Sequence, residues 1–311
     1  MRTIISFILA AGLTGVLISG CREADDGSGA AVRVAATTPQ VADFVREVGG
    51  DRVAVTQILS PSSDPHDYEP RPSDAESLVD ADLIVRSGGD VDAWLDQLVE
   101  ASGSDAPELT LIDDVETREE DGEIDPHWWQ DPRNAQLAVE AIAAGLAEVD
   151  PDGVDVYERN SRLYLAELRR LDRSIAACMG SIPADERLLV TSHDALGYYA
   201  DRFGIEVVGA AIPSLSTQAQ ASAGETADLV ETIRRTGVNA VFPEEGTTAE
   251  LERTIAEEAG ASVGGELWAD TLGPEDSDGA TYLAAMRSNT EALAAGFTGG
   301  NAGAACALGS G

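Results

Sequence analysis

Histidine is the residue type whose positions in this chain most directly indicate chemistry. The sequence contains three histidines among 311 residues. His66 and His127 each end an Asp-Pro-His tripeptide, and His193 lies in the segment Thr-Ser-His-Asp. A proline fixes its own backbone and disfavours helix just before it, so the following histidine is held in a defined direction. Because neutral imidazole is the commonest metal ligand, three distant histidines could form one metal site; three unrelated surface or core histidines are the alternative.

The region around the first histidine alternates between predicted strands and helices. The apolar segments 32–36 and 53–58 predict strands, and the second of them runs directly into the loop that carries His66. Open α/β sheets bind ligands at the carboxyl ends of their strands, which makes this loop a suitable place for a binding residue. Ser73 and Glu76 predict a capping box at the start of the next helix.

A long amphipathic helix is predicted in the middle of the chain. Apolar residues recur at spacings of three and four over residues 155–179, and Pro183 prevents a continuation. Strand and helix patterns then alternate again, with a strand before His193 and another segment leading to Asp270. If the two blocks face each other, the three histidines and Asp270 meet in the cleft between them.

These patterns predict an α/β fold with two lobes, each with a mostly parallel sheet flanked by helices. The long helix would join the lobes as a rigid connector, and the metal site would lie in the cleft between them. The expected domains are an N-terminal lobe over residues 31–150, the connecting helix over 151–180 and a C-terminal lobe over 181–311. The Gly- and Ala-rich stretch after Gly296 predicts a flexible tail.

The N-terminus has the features of a processing signal rather than of a folded segment. Arg2 precedes an apolar run that is short for a membrane span, and residues 1–20 are therefore predicted to be a secretory signal peptide. The small residues before Cys21 resemble a bacterial lipobox, which implies a lipid anchor on Cys21 and a tether over residues 21–30. An ordinary signal peptide with an incidental cysteine is the alternative.

Charge and cysteine content narrow the function classes further. The formal net charge is −36, the isoelectric point is about 4.1, and every basic side chain is an arginine. This balance argues against nucleic-acid binding, which needs basic patches. Apart from Cys21, the chain has two cysteines, Cys178 and Cys306. In an oxidising compartment such a pair is a candidate disulfide, and two separate buried thiols are the alternative.

Four segments together resemble one protein family. The segments 64–74, 125–132, 191–199 and 268–272 are similar, in order, to the four ligand motifs of bacterial ABC-transporter solute-binding proteins for zinc and manganese, the family also called cluster 9 or A-I. The resemblance covers almost the whole chain after the signal peptide. It implies a non-enzymatic protein, expected to be monomeric, that is held outside the cell membrane and passes a metal ion to an ABC-transporter permease.

The same resemblance implies a ligand set and a preferred ion. The metal ligands would be His66, His127, His193 and Asp270. Three nitrogens and one carboxylate favour Zn²⁺, whereas manganese binders of the family tend to carry a carboxylate at the position of His193. Mn²⁺ is therefore the alternative ion.

The sequence departs from the family pattern at two places, and two other functions compete with metal transport. Many zinc members have a histidine-rich loop before the second ligand, but here residues 113–125 are acidic, and we favour a solvated excursion over a weak cation-collecting loop. Glu244 and Glu245 are expected to support the site or lie on the surface. A zinc hydrolase with Asp270 or Glu244 as general base is the main competing function, and an adhesin or siderophore binder is a third.

Overall fold

The computed structural model describes residues 31–120, 122–301, 303 and 306–308. The predicted signal peptide, the tether and Cys21 lie outside the described residues. Within the described part of the chain, no helix combines the length and the apolar character needed to cross a membrane.

A parallel sheet forms the centre of the first lobe. Its strands are β1 (Val32–Ala36), β2 (Val53–Gln57), β3 (Leu83–Arg86) and β4 (Glu108–Thr110). They lie in the order β2-β1-β3-β4, and every pairing is parallel. The helices of this lobe are α1 (Pro39–Gly49), α2 (Pro72–Val79), α3 (Leu95–Ser102) and α4 (Pro132–Val149). Most residues of β1 and β3 are buried, as expected of inner strands.

Proline and a polar cap define where these helices begin. Asp131 precedes α4, and its carboxylate accepts the backbone N–H of Arg133 at 2.8 Å. The prediction of a capping box from Ser73 to Glu76 is wrong, because α2 begins at Pro72 instead. Proline suits the first helical position, where its missing N–H costs nothing. The Asp74 carboxylate then accepts the N–H of Arg71 at 2.7 Å.

The acidic segment between the first lobe's sheet and His127 is partly ordered into a hairpin. Strands β5 (Glu119–Glu120) and β6 (Glu123–Ile124) pair antiparallel. The sequence predicted a solvated loop here, and the hairpin was missed because two-residue strands carry almost no periodic signal. Its arginine contacts the second lobe, as described below.

The predicted connector is present as α5 (Val154–Ser181), a helix of 28 residues. It packs against α1 and α4 of the first lobe. Its buried stripe includes Leu168, Leu171, Ile175 and Cys178, which is the face that the periodicity predicted.

The second lobe repeats the parallel arrangement. Its strands are β7 (Leu188–His193), β8 (Glu206–Ile212), β9 (Ala240–Val241) and β10 (Ser262–Val263). β7 pairs with β8 and β9 with β10, and a single bridge between Thr191 and Phe242 joins the two pairs. The helices are α6 (Gly197–Phe203), α7 (Ala223–Thr236), α8 (Glu250–Ala259) and α9 (Tyr282–Phe297). Both α6 and α9 also contact α5, so the connector is packed on both lobes.

The described residues of the tail are held against the body of the protein. Cys306 is buried and is bonded to Cys178 on α5. The N–H of Leu308 donates to the carboxylate of Glu291 on α9 at 2.8 Å. These contacts connect Cys306 to α5 and Leu308 to α9.

Candidate metal centre

The four residues singled out from the sequence come together between the two lobes. One potential ligand atom from each of His66, His127, His193 and Asp270 lies within 4.8 Å of all the others. His66 follows β2 on a loop, His127 directly precedes a short 3-10 helix, and His193 is the last residue of β7. All four residues are buried, and His127 and His193 have no exposed surface.

The distances inside this group match a small tetrahedral site. Nε2 of His127 lies 3.4 Å from Nε2 of His66 and 3.4 Å from Nε2 of His193. The carboxylate of Asp270 lies 3.4, 3.5 and 3.1 Å from Nε2 of His66, His127 and His193. Four ligands placed tetrahedrally about 2.0–2.1 Å from one ion are about 3.3–3.4 Å apart. The group therefore has the dimensions that a four-coordinate ion requires.

Asp270 is an acceptor that faces only the histidine rings. Both of its carboxylate oxygens are buried, and among the described residues they have no partner other than those ring nitrogens. A buried carboxylate without partners is costly, so it implies a cation that satisfies it. Burial disfavours the charged form, but protonated His193 and His127 would outweigh burial and hold the pKa of Asp270 well below its ordinary value. A metal ion at the same point would act on this carboxylate with the same sign.

The two Asp-Pro-His segments form the same local turn. The carboxylate of Asp64 accepts the backbone N–H of His66 at 2.9 Å, and that of Asp125 accepts the N–H of His127 at 3.0 Å. An aspartate that binds the backbone two residues later makes a compact Asx turn, and proline in between fixes the backbone. The repeated tripeptide therefore orients the histidine that follows the proline.

His127 is supported further by a chain of charges. Oδ1 of Asp125 lies 2.7 Å from Nδ1 of His127, and Oδ2 accepts from Arg118 at 2.6 Å. Arg118 also donates to Asp201 on α6 at 3.0 Å. Burial opposes ionisation of Asp125, but His127 and Arg118 outweigh it and hold the pKa of Asp125 below its usual range. The acidic hairpin thus delivers an arginine that connects the second ligand segment to the second lobe.

Gly197 makes room for that arginine. A Cβ atom at this position would lie only 1.9 Å from Nη1 of Arg118. Any side chain at Gly197 would consequently displace the guanidinium and break the chain of contacts that ends at His127.

His193 is held by a second carboxylate from its own lobe. Oε2 of Glu244 lies 2.7 Å from Nδ1 of His193. Burial lowers the pKa of His193, but the Glu244 and Asp270 carboxylates outweigh burial and raise that pKa well above its ordinary value. Glu244 thus supports the site, as one of the two sequence interpretations held, whereas Glu245 is only half-buried.

The first lobe also positions Asp270. The side chains of Trp129 and Gln130 both donate to the backbone carbonyl of Ala269, at 2.8 and 2.7 Å. Both donors closely follow His127 in the chain. Two ligands from different lobes are therefore located by one short segment.

The loop that carries His66 is held from the opposite lobe. The hydroxyl of Thr217 donates to Asp64 at 2.7 Å, and the amide of Gln218 donates to the carbonyl oxygen of His66. Thr217 and Gln218 lie in the loop between β8 and α7. These contacts close the cleft over the first ligand.

Arg118, Asp125, Thr217 and Gln218 were not identified as functional from the sequence. Asp125 could have been identified from the sequence, because it occupies the same place in its Asp-Pro-His tripeptide as Asp64. The other three depend on how the lobes dock, and their positions in the chain carry no pattern that predicts it.

The comparisons with known proteins agree with this architecture. A family model described as zinc-uptake complex component A, periplasmic (ZnuA) matches residues 34–296. The manganese-binding lipoprotein MntA of Halalkalibacterium halodurans is 30% identical over 298 residues, covering 94% of this chain and 98% of that protein. The manganese ABC transporter substrate-binding lipoprotein PsaA of Streptococcus mitis is 27% identical over 302 residues, covering 94% and 97%.

A solved structure gives the same result for the fold. The periplasmic zinc-binding protein TroA from Treponema pallidum superposes with a TM-score of 0.80 at 25% identity, over 86% of this chain and 99% of that one. The two-lobed α/β fold and the family predicted from the sequence are therefore confirmed. The hydrolase hypothesis is set aside, since the family consists of binding proteins and Glu244 is paired with His193. The chain belongs to the ZnuA family of extracytoplasmic substrate-binding lipoproteins, which serve metal ABC transporters and are not enzymes.

Proposed function

We propose that the protein captures one divalent transition-metal ion, preferentially zinc, through His66, His127, His193 and Asp270 and passes it to a membrane permease. The observation that carries the proposal is the buried Asp270 carboxylate, which faces three imidazole nitrogens at 3.1 to 3.5 Å and has no other hydrogen-bond partner among the described residues.

Zinc is favoured by the ligand types and by their spacing. Imidazole nitrogens suit a borderline ion such as Zn²⁺, and structural zinc sites are almost always tetrahedral with four ligands. Nε2 of His127 lies 3.4 Å from Nε2 of His66 and of His193, which is close to the ligand separation of that geometry. The family description and the solved TroA structure, both named for zinc, also support this choice.

Manganese is the second candidate, and one observation favours it. Both oxygens of Asp270 face histidine nitrogens, and neither is engaged elsewhere among the described residues. Bidentate coordination by Asp270 would raise the number of ligand atoms to five and harden the site, which suits Mn²⁺. The curated relatives described above are named for manganese.

The proposal also covers the localisation and the domain boundaries. Lipidation of Cys21 would anchor the mature, monomeric protein to the membrane, with residues 21–30 as a tether long enough for the lobes to reach a permease. The N-terminal lobe would span residues 31–150, the connector 151–180 and the C-terminal lobe 181–311.

Calorimetry on metal-stripped mature protein tests the proposal. We expect one tight zinc event per chain, which His127→Ala removes or weakens severely. Glu100→Gln removes a carboxylate at an exposed position on α3, serves as the control and should bind as the parent does. Absence of a tight event, or two equally tight sites, would overturn the proposal.

A further inference from the structure

A second polar chamber lies beside the candidate metal centre, at the seam between the lobes. It has a volume of about 580 Å³. The first lobe contributes Asp64 and Asp67, and the second contributes Ser192, Thr217 and Glu252. Asp64 is two residues from His66 and Ser192 directly precedes His193. The chamber is therefore lined by the same segments that carry two of the four candidate ligands.

Glu252 is the unusual residue of this chamber. It lies on α8, its exposed fraction is 3%, and its Oε2 atom has no hydrogen-bond partner among the described residues. Burying a carboxylate oxygen without a hydrogen-bond partner is unfavourable. Retaining it at a cavity wall suggests that something in the cavity satisfies it.

A second orphaned polar atom lines the same space. The hydroxyl of Ser192 is also buried, with an exposed fraction of 3% for the residue, and its Oγ has no partner among the described residues. Two buried polar groups from different elements, β7 and α8, thus line one cavity unsatisfied. This is independent of the acidic character of the surrounding surface.

The chemistry of the walls selects the class of ligand. Four of the described residues that line the chamber are acidic, namely Asp64, Asp67, Glu250 and Glu252. None of the described lining residues is basic. Hard divalent cations prefer carboxylate, hydroxyl and water oxygens. A water molecule takes about 30 Å³ in the liquid, so the chamber has room for an ion together with its hydration shell.

The carboxylates do not converge tightly enough to strip that shell. Among the described residues, the cluster with metal-binding spacing is the His66, His127, His193 and Asp270 group, and Glu252 is not part of it. A cation in the chamber would therefore be held through its water molecules. Such binding is weak and exchanges quickly.

We propose that this chamber binds a hydrated divalent cation as a waiting site beside the metal centre. The inference rests on the proposed function, since a waiting site matters only if the four-residue centre takes up the ion. Walls that carry one sign of charge concentrate ions of the opposite sign and increase the rate of capture. The chamber would hold the ion until the cleft contacts of Thr217 and Gln218 open.

Paramagnetic broadening tests the chamber without depending on capture itself. The protein is first loaded with one equivalent of Zn²⁺, and Mn²⁺ is then added in the millimolar range while bound zinc is monitored. We expect Mn²⁺ to broaden the backbone amides of Thr247 and Leu251, which line the chamber, before those of remote acidic segments. Glu252→Gln should reduce this broadening about fivefold, because ligand charge sets the affinity of such sites.

Two further variants make the result decisive. Glu257→Gln changes an exposed charge on the same helix and should broaden like the parent. Asp67→Asn, an exposed position in the chamber wall, should weaken the broadening and decides the question if Glu252→Gln does not fold. The proposed cation site would be refuted if Glu252→Gln or Asp67→Asn broadened as much as the parent. It would also be refuted if broadening were spread evenly over the acidic residues of the surface. Failure to retain zinc would instead contradict the proposed function.

Discussion

The carboxylate of Glu244 contacts His193 through both of its oxygen atoms. Its Oε2 lies 2.7 Å from Nδ1 of the ring, and its Oε1 accepts the backbone N–H of the same residue at 3.1 Å. Nδ1 therefore carries the hydrogen when the ring is neutral, and the lone pair of Nε2 faces Asp270. A carboxylate in this position orients the ring and makes it a more basic ligand.

Replacing Glu244 with glutamine should weaken metal binding without abolishing it. Glutamine keeps an acceptor near Nδ1 but loses the charge, and changes of this kind typically cost about 10- to 100-fold in affinity. Competition with a chromogenic chelator measures the effect. Glu245→Gln alters the neighbouring, half-buried charge and should leave the affinity unchanged. An unaltered affinity in Glu244→Gln would contradict the assigned role of Glu244.

Zinc affinity should fall steeply as the pH falls from about 7 to about 5, because the histidine ligands must be neutral. Burial lowers the pKa of His193, but Glu244 and Asp270 outweigh it and raise that pKa well above 6.5. Proton competition should therefore begin above the ordinary histidine range. In metal-free protein the same raised pKa contributes stability below about pH 6.5 that is lost as the pH rises through the folded-state pKa. Zinc should accordingly raise the melting temperature more at pH 8 than at pH 6.

Chelator competition and thermal melts across pH 5–8.5 check both parts of this prediction. A flat affinity profile over that range would mean that the histidines are not ligands.

His193→Glu should narrow the preference for zinc over manganese. The variant leaves two imidazoles and two carboxylates, which raises the possible coordination number and suits Mn²⁺ better than a tetrahedral zinc site does. We expect the change to come mainly from weaker zinc binding. His66→Ala and His127→Ala should weaken both ions. If His193→Glu binds zinc as the parent does and keeps the same zinc-to-manganese ratio, the four-residue site is wrong.

Replacing Cys178 and Cys306 together with serine should lower the free energy of unfolding. The bridge closes a separation of 128 residues. The chain-entropy model gives about 5 kcal/mol for such a loop, and measured losses for native disulfides are about 2–5 kcal/mol. Denaturant unfolding of the oxidised parent and the double variant measures the loss. Two reactive thiols in unfolded, unreduced mature protein would exclude the bridge.

Asp43→Asn should stabilise the protein at neutral pH. Asp43 on α1 accepts the N–H of Tyr282 at 2.9 Å, and burial raises its pKa from 3.8 to about 6. The folded state therefore keeps a proton that the unfolded chain releases between about pH 4 and pH 6, so that stability declines as the pH rises through this window.

Asparagine keeps the acceptor and has no charge to bury, and the gain should be about 3 kcal/mol at pH 7.5 and only about 1 kcal/mol at pH 4.5. Thermal melts at both pH values measure it. Asp51→Asn, at an exposed position, is the matched control and should have no effect. Equal stability of parent and Asp43→Asn at pH 7.5 would contradict the prediction.

The parts of the fold that could be predicted are those with a strong local signal. The connector α5 follows from an apolar period sustained over many turns, and the aiming of His66 and His127 follows from a tripeptide with a known turn chemistry. The strand pattern placed Asp270 with the three histidines only if the two blocks face each other, and the family resemblance supported that arrangement.

The parts that could not be predicted depend on contacts between distant segments. Glu244 reaches His193 because β9 lies beside β7. A single bridge between Thr191 and Phe242 connects these two strands. Arg118 acquires its role only when the hairpin docks on α6. Glu252 has an ordinary place on an amphipathic helix, and only the fold reveals that its carboxylate has no partner among the described residues.

The two hydrogen bonds that Trp129 and Gln130 donate to the carbonyl oxygen of Ala269 have a kinetic consequence. The contacts lie at a lobe boundary but are not bonds to the ion. Release of the ion by separating the lobes must break them as well as the coordination bonds. Residence time therefore depends on these contacts as well as on the four ligands, and a permease that loosened this boundary would shorten it without changing the ligands.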